Sequence, residues 1–277
     1  MDVYRRCIMK TLLEAYYQVL LEQNTISLTN YKVKYSVEDR ENHLVKLAYK
    51  KVEKYIKNGS KGDLNLINTP IYQLPAGLKV GGSLDLINTP IAQLPADLKV
   101  GGSLNLNRSL IAQLPAGLEV IGDLGIANTQ ITQLPAGLKV GGSLDLTNTP
   151  IAQLPADLKV GRSLYLNKTQ ITQLPAGLKK VEGGLFLKNT PIVQLPAGLK
   201  VSGPLYLSYT QITQLPANLE VGGDLYLSNT PISQLPANLK VSGNLNLDGT
   251  PIAKKYTADQ LKKMLPGIRG SILYIDY

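Results

Sequence analysis

A solenoid of stacked coils with short parallel strands is the fold this sequence predicts, and three observations carry the prediction. A Leu-x-Leu pair (Leu-x-Ile in one copy) begins at Leu64, Leu84, Leu104, Leu124, Leu144, Leu164, Leu185, Leu205, Leu225 and Leu245, at steps of 20 residues with a single step of 21. Each pair has the period of two expected of a strand, and turn and proline signals follow it closely. Leucine supplies 48 of 277 residues against one Phe and no Trp, so the core is aliphatic and repetitive.

Leu144 to Ser163, LDLTNTPIAQLPADLKVGRS, shows the logic of one coil. Leu144 and Leu146 point inward around Asp145, and Asn148-Thr149-Pro150 turns the chain, because Pro cannot donate to a ladder and Asn and Thr bond local backbone. Ile151, Leu154 and Leu158 return apolar groups to the interior, while Pro155 favours an extended back segment over a helix. Val160 is the last inward residue, and a glycine corner leads to the next strand. The extra residue of the 21-residue step falls in Lys179-Lys180-Val181 and is expected to bulge a turn and leave the core unchanged.

This pattern resembles the leucine-rich-repeat family over about residues 62 to 253. The repeat length and the Leu-Pro element look like the bacterial type found in effectors of Gram-negative pathogens, although the effectors' second Leu-Pro is absent. The family's first Leu is replaced by the glycine corner, with Val one position earlier. The resemblance implies an α/β-class solenoid of mostly short parallel strands with extended back segments, the sheet lying on the concave side. The family's Asn position holds Thr in nine copies, Thr69 through Thr250, and Ser109 in one. This predicts a ladder of hydroxyls, each bonding backbone in the neighbouring coil.

The ends read as caps, giving residues 1–60 as an N-terminal helical cap, 61–253 as the solenoid and 254–277 as a C-terminal cap. Tyr4, Ile8, Leu12, Ala15 and Val19 predict a helix over residues 2–22, and a short hairpin is placed around Thr29-Asn30. Ser36-x-x-Asp39 opens a second helix with the stripe Leu44, Leu47, Ala48, Val52, Tyr55 and Ile56, ending at Asn58-Gly59. Thr257-Ala-Asp-Gln260 has capping-box form, and Leu261, Met264 and Leu265 give that helix one apolar face. Gly270-Ser271-Ile272-Leu273 repeats the strand entry of the coils, so an eleventh parallel strand is expected after that helix.

Several functions lose their chemistry at this level. The single Cys7 forms no internal disulfide and is read as a packed thiol; no cofactor and no metal site is indicated. His43, the only histidine, is read as a surface residue, so no catalytic residue is assigned. The family's ubiquitin-ligase effectors carry a separate catalytic domain, to which nothing here corresponds. The first residues do not read as a signal peptide, and no apolar run is long enough to span a membrane. A cytoplasmic, monomeric protein of bacterial or phage origin is the resulting expectation, with export as an effector without a cleaved signal as the alternative. The net charge of +9 raises nucleic acid or an anionic surface as an alternative partner, bound through Lys254-Lys255 and Lys262-Lys263 of the cap. The even charge balance of the repeats argues against it.

The expected function is a non-enzymatic module that presents its concave sheet to a partner protein. The residue between the two leucines points outward, and along the chain it reads Asn65, Asp85, Asn105, Gly125, Asp145, Tyr165, Phe186, Tyr206, Tyr226 and Asn246. Four successive aromatics form one stripe. Tyr209, Lys168 and Lys188 flank it from the strand ends, giving an aromatic centre with a polar rim.

Overall fold

The computed structural model describes residues 37–274, and the expected helix over 2–22, the hairpin at Thr29-Asn30, Cys7 and the Ser36 cap lie outside them. The chain divides into two compact units, Met1–Gln130 and Ile131–Tyr277. Both are built of the same parallel-strand solenoid turn.

The first unit opens with helix α1, Val37–Lys57, whose last turn carries Lys54 and Lys57 against the helix dipole. Leu44, Ala48 and Val52 are buried, while Leu47 and Ile56 of the expected stripe are exposed, so the packed face is narrower than the sequence indicates. The helix stops where Gly59 takes a φ of 81°. Tyr55 fastens it to the first coil: its hydroxyl lies 2.8 Å from the Ser60 and Gly62 carbonyls and accepts from the Gly81 amide. Tyr49 adds an edge-on ring contact with Tyr72 at 5.9 Å. The strands Leu64–Asn65, Leu84–Asp85, Leu104–Asn105 and Leu124–Gly125 pair in parallel with no register slip. A second ladder, absent from the sequence expectation, joins Lys79–Val80, Lys99–Val100 and Glu119–Val120 across the back.

The second unit continues the pattern through Leu144–Asp145, Leu164–Tyr165, Leu185–Phe186, Leu205–Tyr206, Leu225–Tyr226 and Leu245–Asn246. Ile272–Leu273 pairs in parallel with Leu245–Asn246, which is the expected eleventh strand. Two helices precede it. Helix α2, Pro251–Lys255, is capped by Thr250, whose hydroxyl accepts from the Ala253 amide. It forms because Lys255-Tyr256 replace the Leu-Pro that holds the other back segments extended. Helix α3, Ala258–Met264, has the expected capping box of Thr257 and Gln260. Leu261 and Leu265 are buried, but Met264 is 50% exposed and does not belong to the packed face.

Two hydrogen-bond patterns differ from expectation. The buried threonine hydroxyls donate within their own coil, as Thr149 Oγ1 does to the Leu146 carbonyl at 2.7 Å, so no hydroxyl ladder crosses between coils. The strand's inward carbonyl has no partner in the parallel ladder, and a hydroxyl three residues on reaches it first. Cross-coil side-chain bonding occurs instead at the residue before the strand in coils that carry Ser, Asp or Asn there: Ser103 N donates to Ser83 Oγ at 3.1 Å, Asn244 N to Asp224 Oδ1 at 2.7 Å and Ser271 N to Asn244 Oδ1 at 2.9 Å. Close stacking explains the glycine corners, since a Cβ at Gly203 would lie 2.8 Å from the Gly183 carbonyl carbon.

The extra residue near Lys179 does disturb the core. Leu158, Val160 and Leu178 are partly exposed, whereas Leu138, Val140, Leu199 and Val201 are buried. In the second unit the back ladder ends at Lys159–Val160, and a separate one starts at Lys180–Val181.

Candidate partner-binding face

In five coils the outward residue is a short polar one that bonds its own backbone. Asn65, Asp85, Asn105, Asp145 and Asn246 each accept, through Oδ1, from the amide two residues on, at 2.9 to 3.2 Å. Such a side chain closes the strand end locally. Burial raises the Asp85 carboxyl above its ordinary pKa, against the Ile87 amide, which lowers it. Tyr165, Phe186, Tyr206 and Tyr226 bring no such acceptor, and after Phe186 the amide two residues on donates to Asn167 Oδ1 of the preceding coil at 2.9 Å.

The strands set the rings one above another. Tyr165 and Phe186 stack at 4.3 Å with planes 11° apart, Phe186 and Tyr206 at 4.9 Å and 16°, and Tyr206 and Tyr226 at 4.2 Å and 11°. These separations are close to the strand spacing of about 4.8 Å, so the register alone dictates the stack. All four residues are half-buried. The Tyr226 hydroxyl donates to Asp224 Oδ2 at 3.1 Å. Hydrogen bonding with Tyr206, then burial, then the Asp224 carboxylate push the Tyr226 phenol up to about 12.

Two residues outside the expected set shape the row. A Cβ at Gly184 would lie 2.7 Å from the Phe186 ring, so the ring occupies space that a side chain would take. Gly184 and Pro204 stand where other coils carry Ser, Asp or Asn before the strand, and that departure was visible in the sequence. The substitution is self-consistent: Gly184 has no side-chain acceptor to offer, and Pro204 has no N–H to donate.

The rim residues fall at the strand ends. The turn residue after each strand has positive φ in all ten coils, and Asn or Gly, which tolerate it, fill seven of these positions. Arg108, Lys168 and Tyr209 adopt it at φ 60°, 59° and 60°. Tyr209 is 52% exposed, and Lys188 Nζ lies 5.5 Å from its ring centroid, a cation-π distance. The structure brings Tyr209 and Lys188 together and leaves Lys168 exposed at its own strand end. Beyond Tyr226, Asn246 Oδ1 accepts from Ser228 Oγ at 2.6 Å, a polar limit to the row.

The basic cap is less free than its sequence indicates. Lys262 Nζ donates to the Ile268 and Gly270 carbonyls at 2.6 and 2.5 Å, so this ammonium ties α3 to the following turn. Lys255 lies over the Tyr256 ring at 5.0 Å. Among the described residues no helix is long and apolar enough to cross a membrane, and no three His, Cys, Asp or Glu side chains gather as a metal site.

No family profile matches the sequence. No curated protein matches it either. Among solved structures, the chain is similar to YopM, a leucine-rich effector protein from Yersinia pestis, at 17% identity and a TM-score of 0.50, covering 74% of this chain and 70% of that one. The fold is a leucine-rich-repeat solenoid. Drosophila Toll, in its complex with Spatzle, is a second leucine-rich-repeat likeness at 18% identity and a TM-score of 0.50, covering 68% of this chain. The chain spans about a third of the Toll chain, 33%.

Proposed function

We propose that this leucine-rich-repeat chain is a non-enzymatic interaction module that captures a partner protein on the strand face, centred on Tyr165, Phe186, Tyr206 and Tyr226 with Tyr209, Lys188 and Lys168 as its rim. The observation that carries the reading is the continuous row of four stacked rings. Each interior ring is held by neighbours at 4.2 to 4.9 Å, so little side-chain freedom remains to be lost on association. Aromatic side chains set in such a centre, with charged and polar groups around them, are the composition of an interface hot spot.

The stacking also favours protein over nucleic acid. Faces of the interior rings are already used by neighbouring rings, which leaves edges and hydroxyls for a partner, whereas nucleobases need free faces to stack on. Lys168 and Tyr209, at the rim, hold a backbone conformation that Asn or Gly adopts more cheaply, as does Arg108 outside the row. In this reading residues 1–60 and 254–277 cover the ends of the repeat array. Toll is recorded in complex with Spatzle, which supports partner binding as a use of this fold.

Photo-crosslinking in the producing cell tests the proposal. With p-benzoylphenylalanine in place of Tyr206, irradiation should give a protein adduct; with it in place of exposed Ser242 on the back ladder it should not. Adducts from Ser242 alone would move the site to the opposite side of the coil.

A further inference from the structure

We propose that the one-residue insertion at Lys179 opens a second binding site, on the back of the solenoid, for a straight-chain aliphatic carboxylate. Register shows how the opening arises. In regular coils the amide of the back-strand lysine donates to a leucine carbonyl of the preceding coil, as Lys159 N does to Leu138 O at 3.4 Å and Lys240 N to Leu219 O at 3.1 Å. Lys200 N donates instead to Lys179 O at 2.9 Å, so Lys179 occupies the leucine slot and Leu178 is set one residue back. The ladder between Lys159–Val160 and Lys180–Val181 is lost with it.

The result is a cavity of about 320 Å³ lined by Leu154, Leu158, Val160, Leu164, Leu178 and Val181. An apolar cavity of roughly 150 Å³ is enough to hold benzene, so this one accommodates a longer chain. Its mouth is of the opposite chemistry. Lys159, Lys179 and Lys180 line it with Glu182 as the one acid, and Glu182 is held by Lys180 at 2.8 Å. Lys179 Nζ donates to the Ala197 carbonyl at 3.0 Å, while Lys159 has no ion-pair partner among the described residues. The broken ladder also releases the Lys180 and Glu182 amides, whose counterparts Lys159 N and Gly161 N donate to Leu138 O and Val140 O. An aliphatic interior under a mouth of ammonium and amide donors fits an alkyl chain that ends in a carboxylate.

Isothermal titration calorimetry of the full chain with octanoate tests the site. The parent should bind one equivalent saturably, with affinity rising about fourfold per methylene from butyrate through hexanoate to octanoate. Uncharged octanol should bind at least tenfold more weakly. Deletion of Lys179, which restores the 20-residue period, should abolish binding, and Val160→Phe, which fills the cavity without altering the period, should weaken it at least tenfold with an unchanged circular-dichroism spectrum. Absence of saturable octanoate binding by the parent, equal affinity in the folded Val160→Phe variant, or equal affinity for octanol would each overturn the proposal.

Discussion

Replacing Thr149 by Val removes one buried hydroxyl and keeps the side-chain volume, so it isolates the polar bond that closes each coil. Thr149 is 2% exposed, and its Oγ1 donates to Leu146 O at 2.7 Å. The same carbonyl accepts from Thr149 N at 3.2 Å, while Leu146 N is engaged with Tyr165 O at 2.9 Å. The substitution therefore strands no backbone group. The loss should be that of one ordinary hydrogen bond, about 1 kcal/mol, and not the roughly 3 kcal/mol of an orphaned buried acceptor. Urea unfolding followed by circular dichroism measures it. A double-mutant cycle with Thr169→Val, whose hydroxyl donates to Leu166 O at 2.7 Å, separates local closure from a cross-coil ladder. Local bonds predict a coupling below about 0.5 kcal/mol. A coupling above about 1 kcal/mol, or a single loss near 3 kcal/mol, would refute the local account.

Gly184→Ala places a methyl against the Phe186 ring and should lower stability by about 1 to 3 kcal/mol; an unchanged urea midpoint would show that the ring is not seated there. Deleting Lys179 should raise stability by at least about 2 kcal/mol, since two ladder bonds at about 1 kcal/mol each are restored along with burial of Leu158, Val160 and Leu178; a fall in the midpoint would contradict the register argument. The Tyr226 phenol titrates at about 12 in the folded chain and near 10 when unfolded, so its contribution to stability is complete below about pH 10 and is lost as pH rises through about 12. In tyrosine-labelled NMR spectra, Tyr206→Phe should bring that titration back toward the ordinary value; no movement would remove Tyr206 as its leading cause.

Most of the coil was legible because its signals are local and repeated ten times. Leu144, Leu146 and Ile151 announce their burial by spacing alone, and Thr257 with Gln260 announces a helix start by the bond each can make. What stayed hidden depends on the neighbouring coil. Thr149 has the right hydroxyl, but whether it reaches its own Leu146 carbonyl or the next coil depends on where the parallel ladder leaves an empty acceptor. The back ladder is invisible for a similar reason: Lys-Val is too short a run to read as a strand until stacked copies pair it. The insertion at Lys179 was visible as an extra residue, yet its effect on Leu158 and Val160 lies in the preceding coil. Along the candidate face the aromatic row was read from alternation, whereas Gly184 and Asp224 enter through contacts with Phe186 and Tyr226 that spacing does not encode.

The claim that the ring row is the binding face is tested most directly by the dissociation constant of the crosslinked partner for the parent and for the Tyr206→Ser, Tyr226→Ser double variant. Both side chains lie outside the fully buried core, so the variant should remain folded, losing about 1 kcal/mol of stability per ring contact removed. The account predicts binding weaker by at least about 2 kcal/mol, roughly thirtyfold. A folded double variant that binds as tightly as the parent would contradict it and leave the rings a structural ladder.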